Sequence, residues 1–335
     1  MKLKKLVTIF GAGSWGTAIA KNISDNGYRV KLWAKEEDVV ESIVKFKENK
    51  PYLPGIKLSS LIHPTNSLDS DLFDSDFLIF SIPTQFIRSS LISMKNMIPK
   101  DSILINTSKG IEQSSMKPIC SIFKDILPRV ARRYVTMSGP SFAYDVAMRL
   151  PTSVTLASTN PLLLPGAMKI FENENFKTYT SNDVVGVELG GSLKNVIAIG
   201  AGILDGLQSS ESTKAAFITR GLKEIRTLSK FLGAKNITFM GLSGIGDLML
   251  TAYGKQSRNR SLGVHIGKGQ NIRKILSSTT TVAEGFYTSE AIYQLTKKYK
   301  IHSPIIESIY KILYKNSDPK KMVKNLLKND GIADI

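Results

Sequence analysis

Up to about residue 180 the chain alternates short apolar runs with longer stretches whose apolar residues recur every third or fourth position. The runs Lys5–Phe10, Arg29–Ala34, Asp76–Ser81, Ser102–Asn106, Tyr134–Ser138 and Ser153–Ala157 are rich in Ile, Val, Leu and Phe. Strands this apolar belong in a parallel sheet covered on both faces by the intervening helices. The last run, with "FKTYTSN" after it, reads either as an extension of that sheet or as an edge hairpin. From Asp183 the texture changes. "VVGVELGGSLKNVIAIGAGILDGL" repeats Gly and Ala on recurring faces, which predicts a long helix packed very closely against a neighbour. "STKAAFITRGLKEIRTLSKFLG" and "TSEAIYQLTKKYK" keep a helical period, the first closing at Gly233 as a C-cap would. The pattern therefore predicts two domains, residues 1–182 built on a sheet and residues 183–335 all-helical, with no low-complexity linker or repeat between them.

The turn after the first strand is Gly11-Ala12-Gly13-Ser14-Trp15-Gly16, and a second strand, "RVKLWA", follows the next helix. Preceded by Lys2, Lys4 and Lys5 and closed by Ala18-Ile19-Ala20, the stretch has some features of a secretory leader. The second strand and the three glycines favour a strand–turn–helix that receives a pyrophosphate. In that unit Gly11 permits the turn, Gly13 admits the ligand to the backbone, and Gly16 lets the helix pack on the strand. The fold class is thus α/β, an N-terminal Rossmann-like doubly wound sheet followed by an all-helical C-terminal domain. The tip of the second strand reads Ala34-Lys35-Glu36. Lys35 suits the 2′-phosphate of NADP and Glu36 the free 2′-hydroxyl of NAD, so either coenzyme is open.

Composition narrows the classes. At 42% hydrophobic and 22% charged residues the chain is globular. Its 45 Lys and Arg against 28 Asp and Glu give a formal charge of +17, but the basic residues are dispersed and no zinc, RNA-binding or basic-zipper spacing accompanies them. The expected partner is a small anion rather than nucleic acid. Cys120 is the only cysteine, and His63, His265 and His302 show no metal-ligand spacing, so neither an intrachain disulfide nor a metal is expected. No unbroken apolar run approaches the roughly 20 residues of a membrane span.

Three loops fall where such a sheet presents ligands, beyond the carboxyl ends of its strands. They are "SIPTQ", "INTSKGIE" with Lys109, and "MSGPSFA" with Gly139 and Ser141. In the helical half Lys194 interrupts a small, apolar helix, and a charge buried there needs a partner or a task. Asp247, in the glycine-rich "GLSGIGDLMLT", is a candidate partner. "YGKQSRNRSLG" sets Ser257, Arg258, Asn259 and Arg260 in a row, a natural clamp for an anion.

"GAGSWGTA", "YLPG", "SKGIE", "SGPSFA", "PTSVTLAS", "GVELGGSLKNVIAIGAGILDGL", "GLSGIGDLMLT", "SRNRSLG" and "AEG", in this order, span nearly the whole chain. Together they resemble the bacterial-type NAD(P)-dependent glycerol-3-phosphate dehydrogenases. The resemblance implies reversible reduction of dihydroxyacetone phosphate to sn-glycerol 3-phosphate, feeding glycerophospholipid synthesis in the cytoplasm. It implies coenzyme contacts at Gly11, Gly13, Ser14, Trp15, Gly16, Lys35, Lys109, Ala143, Arg258, Val282 and Glu284. It implies substrate contacts at Lys109, Gly139, Ser141, Lys194, Asp247, Ser257, Arg258 and Asn259. Lys194 is the implied proton donor and acceptor, supported by Lys109 and Asp247, and a homodimer through the helical half is implied by resemblance alone. The chain departs from the family at Glu36, where a second basic residue is common, and at Val282-Ala283, where a valine pair is usual. Other dehydrogenases that join a nucleotide half to a helical half would recognise a carboxylate instead. A binding module without turnover would not need Lys109, Lys194 and Asp247 together.

Overall fold

The structure, a computed structural model, describes residues 6–278 and 283–326. Packing divides the chain into two compact units. The first takes Met1–Lys109 and Pro118–Glu188, the second Gly110–Lys117 and Leu189–Ile335.

The first unit runs β1 (Leu6–Phe10), α1 (Ser14–Asp25), β2 (Arg29–Trp33), α2 (Glu37–Phe46), β3 (Ile62–Thr65), β4 (Phe77–Phe80), α3 (Thr84–Met94), β5 (Ile103–Asn106), α4 (Ile119–Ile126), β6 (Tyr134–Ser138), α5 (Ala143–Ala147), β7 (Thr152–Ala157), α6 (Leu164–Phe171) and β8 (Phe176–Ser181). The strands form one sheet in the order β3-β2-β1-β4-β5-β6-β7-β8. Alternation along each strand feeds two cores, as the two-residue period of a strand requires. Phe77, Ile79, Ile103 and Ile105 join one apolar cluster, whereas Leu78, Phe80 and Leu104 join the other. Ala18, Ile19 and Ala20 are fully buried in α1, in a segment that from Leu6 on folds as strand, turn and helix.

One expectation needs correction, and one open alternative is decided. Ser153–Ala157 does not continue a wholly parallel sheet, because β7 runs antiparallel to β6, with Thr136 opposite Ala157 and Ser138 opposite Thr155. The chain between them holds only the five-residue helix α5, whereas a parallel return is usually carried by a full crossover helix. "FKTYTSN" is not the second arm of a hairpin either. β8 lies parallel to β7 and is reached through α6, so the sheet is extended. The strand β3, "IHPT", was not predicted.

Helix α7 (Val184–Gly206) begins in the first unit. There the Glu188 carboxylate accepts from the Tyr134 hydroxyl and from the Cys120 N–H at 2.9 Å. Burial raises the proton affinity of both Glu188 and Tyr134, and the neighbouring carboxylate raises that of Tyr134 further.

The second unit takes α7 from Leu189 onward, then α8 (Glu211–Phe231), α9 (Asp247–Tyr253), α10 (Arg258–Gly267), α11 (Ile272–Ser278), α12 (Glu284–Lys298), α13 (Pro304–Lys315) and α14 (Pro319–Leu326). The close neighbour foreseen for α7 is α10. A Cβ at Gly202 would lie 2.0 Å from the Arg260 carbonyl oxygen, and one at Gly263 would lie 2.0 Å from that of Ile199. Gly206 and Gly267 repeat the contact one turn on, so the two backbones touch directly. After α8, Gly233 takes φ +88°, the left-handed conformation of a helix stop. By length and composition α7 does reach what a membrane span requires, contrary to the sequence expectation, but its apolar window is 94% buried within the protein. It is a core helix.

Candidate active site

In the first unit the glycine turn is fixed from three sides. Gly11 donates its N–H to the Trp33 carbonyl at 2.9 Å and holds φ +108°, and a Cβ there would lie 2.4 Å from the Ser81 oxygen. At Gly16 a Cβ would sit 1.9 Å from the Gly11 oxygen, so this glycine lets α1 close on the turn. Gly13 differs. It precedes α1 with extended backbone, and a Cβ there meets nothing within 4 Å. That open side lies where the first N–H groups of α1 lack intrahelical acceptors. Among the described residues, Nε1 of Trp15 also finds no hydrogen-bond partner, although it is buried. An uncrowded Gly13, unpaired helix-start amides and an orphaned indole donor fit an anionic dinucleotide.

The back of the turn is held by a residue the sequence reading did not single out. The fully buried Asn49 donates to the Ala12 carbonyl and to Thr17 Oγ1, both at 2.8 Å, and accepts from the Tyr52 N–H at 3.2 Å. Ser14 Oγ donates to the Tyr52 carbonyl at 2.6 Å. At the tip of β2, Lys35 and Glu36 are both exposed. Burial pushes the Tyr52 phenol up, and the charges of Glu36 and Asp38 add to the rise.

The ends of β5 and β6 bring Lys109, Gly139 and Ser141 together. Asn106 clasps Ser108, accepting from its N–H and donating to its carbonyl at 3.1 Å, and Ser108 Oγ donates to the Ile82 carbonyl at 2.6 Å. Lys109 Nζ then donates to the Gly139 oxygen at 3.0 Å, and Ser141 Oγ reaches the same oxygen at 3.1 Å. Gly139 is required by proximity, since a Cβ would lie 2.8 Å from the Val154 Cα. Ala143 opens α5 and packs on the core beneath.

In the second unit Lys194 is only 7% exposed. Its ammonium donates to the Asp247 carboxylate and to Thr251 Oγ1 at 2.7 Å, and Thr251 Oγ1 itself donates to the Asp247 carbonyl at 2.7 Å. The local fold explains this meeting. Leu242–Gly246 winds as a π-helical turn, a wider coil that recurs near functional groups. Gly190, one turn before Lys194 on α7, admits that coil, and a Cβ there would lie 2.4 Å from the Ser243 oxygen. Thr251 was missed by the sequence reading, although it stands four residues after Asp247 and so on the same helical face.

Around this pair the helix starts are tied together. Asn259 Nδ2 donates to Asn195 Oδ1 at 3.0 Å, and Asn259 Oδ1 accepts from the Gly285 N–H at 3.0 Å. Ser257 caps α10, accepting from the Arg260 N–H at 3.2 Å. Arg258 is exposed at the first position of α10, close enough to Glu284 at the start of α12 to feel its charge. Arg260, the fourth residue of the row that opens at Ser257, has a different partner. Its Nε pairs with Asp205 at 2.7 Å, which also binds Lys214 at 2.8 Å. Val282 lies outside the described residues.

The chain is similar to known proteins over nearly its whole length. A family model described as the NAD-dependent glycerol-3-phosphate dehydrogenase N-terminus matches residues 6–163, and the model of the corresponding C-terminus matches residues 183–324. A glycerol-3-phosphate dehydrogenase [NAD(P)+] of Syntrophotalea carbinolica is 42% identical over 330 residues, covering 98% of this chain and 99% of its own. That of Carboxydothermus hydrogenoformans is 41% identical over 321 residues, 96% of each chain. The crystal structure of glycerol-3-phosphate dehydrogenase from Coxiella burnetii superposes with a TM-score of 0.92 at 32% identity, covering 97% of this chain and 99% of that one. With both halves matched in order and relatives aligned from end to end, the chain belongs to the NAD-dependent glycerol-3-phosphate dehydrogenase family.

Proposed function

We propose that this protein catalyses the reversible reduction of dihydroxyacetone phosphate to sn-glycerol 3-phosphate with NADH or NADPH, and that Lys194 exchanges the proton. The observation that carries the assignment of Lys194 is its burial against Asp247 and Thr251 in an otherwise apolar helix. The reaction needs a hydride on the carbonyl carbon and a proton on the carbonyl oxygen. A bound nicotinamide supplies the hydride. Lys194 donates the proton in the forward direction and recovers it in reverse, held in direction by Asp247 and Thr251. Removing the site from water strengthens both contacts and leaves few competing donors.

Gly13, Ser14, Trp15 and the start of α1 would hold the dinucleotide, with Lys35 at its ribose end. Arg258 and the helix start capped by Ser257 would grip the substrate phosphate, because unpaired amides and a guanidinium both favour an anion. Asn259 supports that grip mainly from behind, since its carboxamide already ties Asn195 to Gly285. Within the first unit, Lys109, Gly139 and Ser141, gathered at one carbonyl, are by family resemblance further substrate contacts. A cytoplasmic homodimer supplying glycerophospholipid synthesis follows from family membership alone.

Initial rates with dihydroxyacetone phosphate, measured once with NADH and once with NADPH, test the reading and reveal the preferred coenzyme. Turnover with dihydroxyacetone phosphate is the expected result. Turnover confined to a 2- or 3-oxoacid overturns it.

A further inference from the structure

Lys109 is the last residue of its stretch of the first unit, and the chain that follows it, Gly110–Lys117, is packed into the second. This eight-residue strap folds back on itself. Met116 donates its N–H to the Glu112 carbonyl at 2.8 Å, Glu112 donates its N–H to the Lys117 carbonyl at 3.0 Å, and the Ser115 hydroxyl meets the Glu112 carboxylate. Ile111 is fully buried. Two side-chain bonds then fasten the strap to helices of the second unit. Ser192 Oγ on α7 donates to the Gly110 carbonyl at 3.1 Å, and Gln113 Nε2 donates to the Glu290 carboxylate on α12.

Each anchor sits on an element that already carries a functional group. Ser192 is two residues before Lys194, and Glu290 is six residues after Glu284. The strap is therefore fastened to α7 and α12, and its first residue, Gly110, is joined by a peptide bond to Lys109, whose ammonium rests on the Gly139 oxygen. Nothing in the chemistry of the reaction requires a glutamine or this serine. Their bonds act on the placement of the lysine main chain.

We infer that Ser192 and the Gln113–Glu290 pair are positioning residues that set Lys109 for catalysis. The inference rests on the reading of Lys109 as a contact to substrate and coenzyme. Displacing a contact group by a fraction of an ångström to an ångström lowers the rate sharply, because the bound geometry is what the site contributes.

The test is a double-mutant cycle on the full chain, with kcat and both KM values measured beside the melting temperature. In the native background Gln113→Ala and Ser192→Ala are each expected to lower kcat/KM about tenfold, with the melting temperature little changed. In a Lys109→Ala background the same substitutions are expected to cost less than about twofold, since the group they position is gone. The exchange Gln113→Glu with Glu290→Gln keeps a donor facing an acceptor and is expected to restore most of the loss. Equal losses in both backgrounds, or no loss in the native one, overturn the inference and leave the reading of Lys109 intact. Native kcat/KM in Lys109→Ala itself sinks that reading, and the inference with it.

Discussion

An added methyl at Gly13 would meet nothing within 4 Å, whereas at Gly263 it would lie 2.0 Å from the carbonyl oxygen of Ile199. In the first unit a glycine keeps space open beside unpaired amides. In the second, glycines are consumed by the protein's own backbone, and the chemistry falls to a few buried side chains. One region recognises by what it leaves out, the other by what it places. Composition alone does not distinguish these uses, because both segments are simply rich in glycine.

The sharpest way to break this contrast is Lys194→Ala. If the second unit works through one placed side chain, kcat is expected to fall about a thousandfold, as removal of a general acid does, with the KM values much less affected. Steady-state kinetics with dihydroxyacetone phosphate decides, and near-native turnover would refute the assignment. Next comes Gly263→Ala, which forces α7 and α10 apart and is expected to cost about 3 kcal/mol of stability by overpacking, read from chemical denaturation.

A third measurement separates scaffold from site within the second unit. Glu224 is a buried carboxylate that accepts from the N–H groups of Ile305 and Ile306 at 2.8 and 3.0 Å, capping α13. Burial raises it from 4.5 to about 7, with Glu307 adding to the rise while those two N–H bonds and Arg220 oppose it. A carboxylate raised on folding favours the protonated native state. Its stabilisation is complete below its ordinary range and is lost as pH climbs through about 7. Between pH 5 and 8 this amounts to a loss on the order of 3 kcal/mol at most. Glu224→Gln is expected to flatten that part of the melting-temperature profile, and an unchanged profile would contradict the burial argument.

The smallest expected effect is at Gly13→Ala. The backbone there, φ −66° and ψ −178°, suits alanine, so the fold should be unaffected. The methyl would occupy the approach to the amides, and the KM for the coenzyme is expected to rise roughly tenfold, the order of one displaced close contact. A coenzyme titration that matches the native protein would show that the open side of Gly13 is not used.

How far the sequence could be read follows from the same contrast. The central strands were legible because burial on both faces leaves little room for polar residues, as "FLIF" at 77–80 and "ILIN" at 103–106 show. Strand β3 was not, since only Ile62 of its four residues is buried and Pro64 argues against a strand. The reversal between β6 and β7 left no trace either, because an apolar run reads the same in both directions. In the site, Lys194 drew notice as a charge on an apolar helix, and its partner Asp247 was a fair guess. Asn49 holds the turn through Ala12 and Thr17, more than thirty residues away in sequence, so no local pattern announces it. Arg260, in the row that opens at Ser257, turns to Asp205 for a geometric reason. Neighbours on a helix point about 100° apart, so four polar residues in a row cannot all face one ligand.

The wide coil over Leu242–Gly246 makes chain length, more than residue identity, decide where Asp247 aims. Dropping a single position there would let the segment relax into an ordinary helical winding and swing everything beyond it through about 100°. The carboxylate would then look past the amine it now meets, with every residue of the charge pair still present. Sequences of this lineage should therefore hold the count of that coil constant, and Gly244 with it, since a Cβ there would lie 2.3 Å from the Phe239 oxygen.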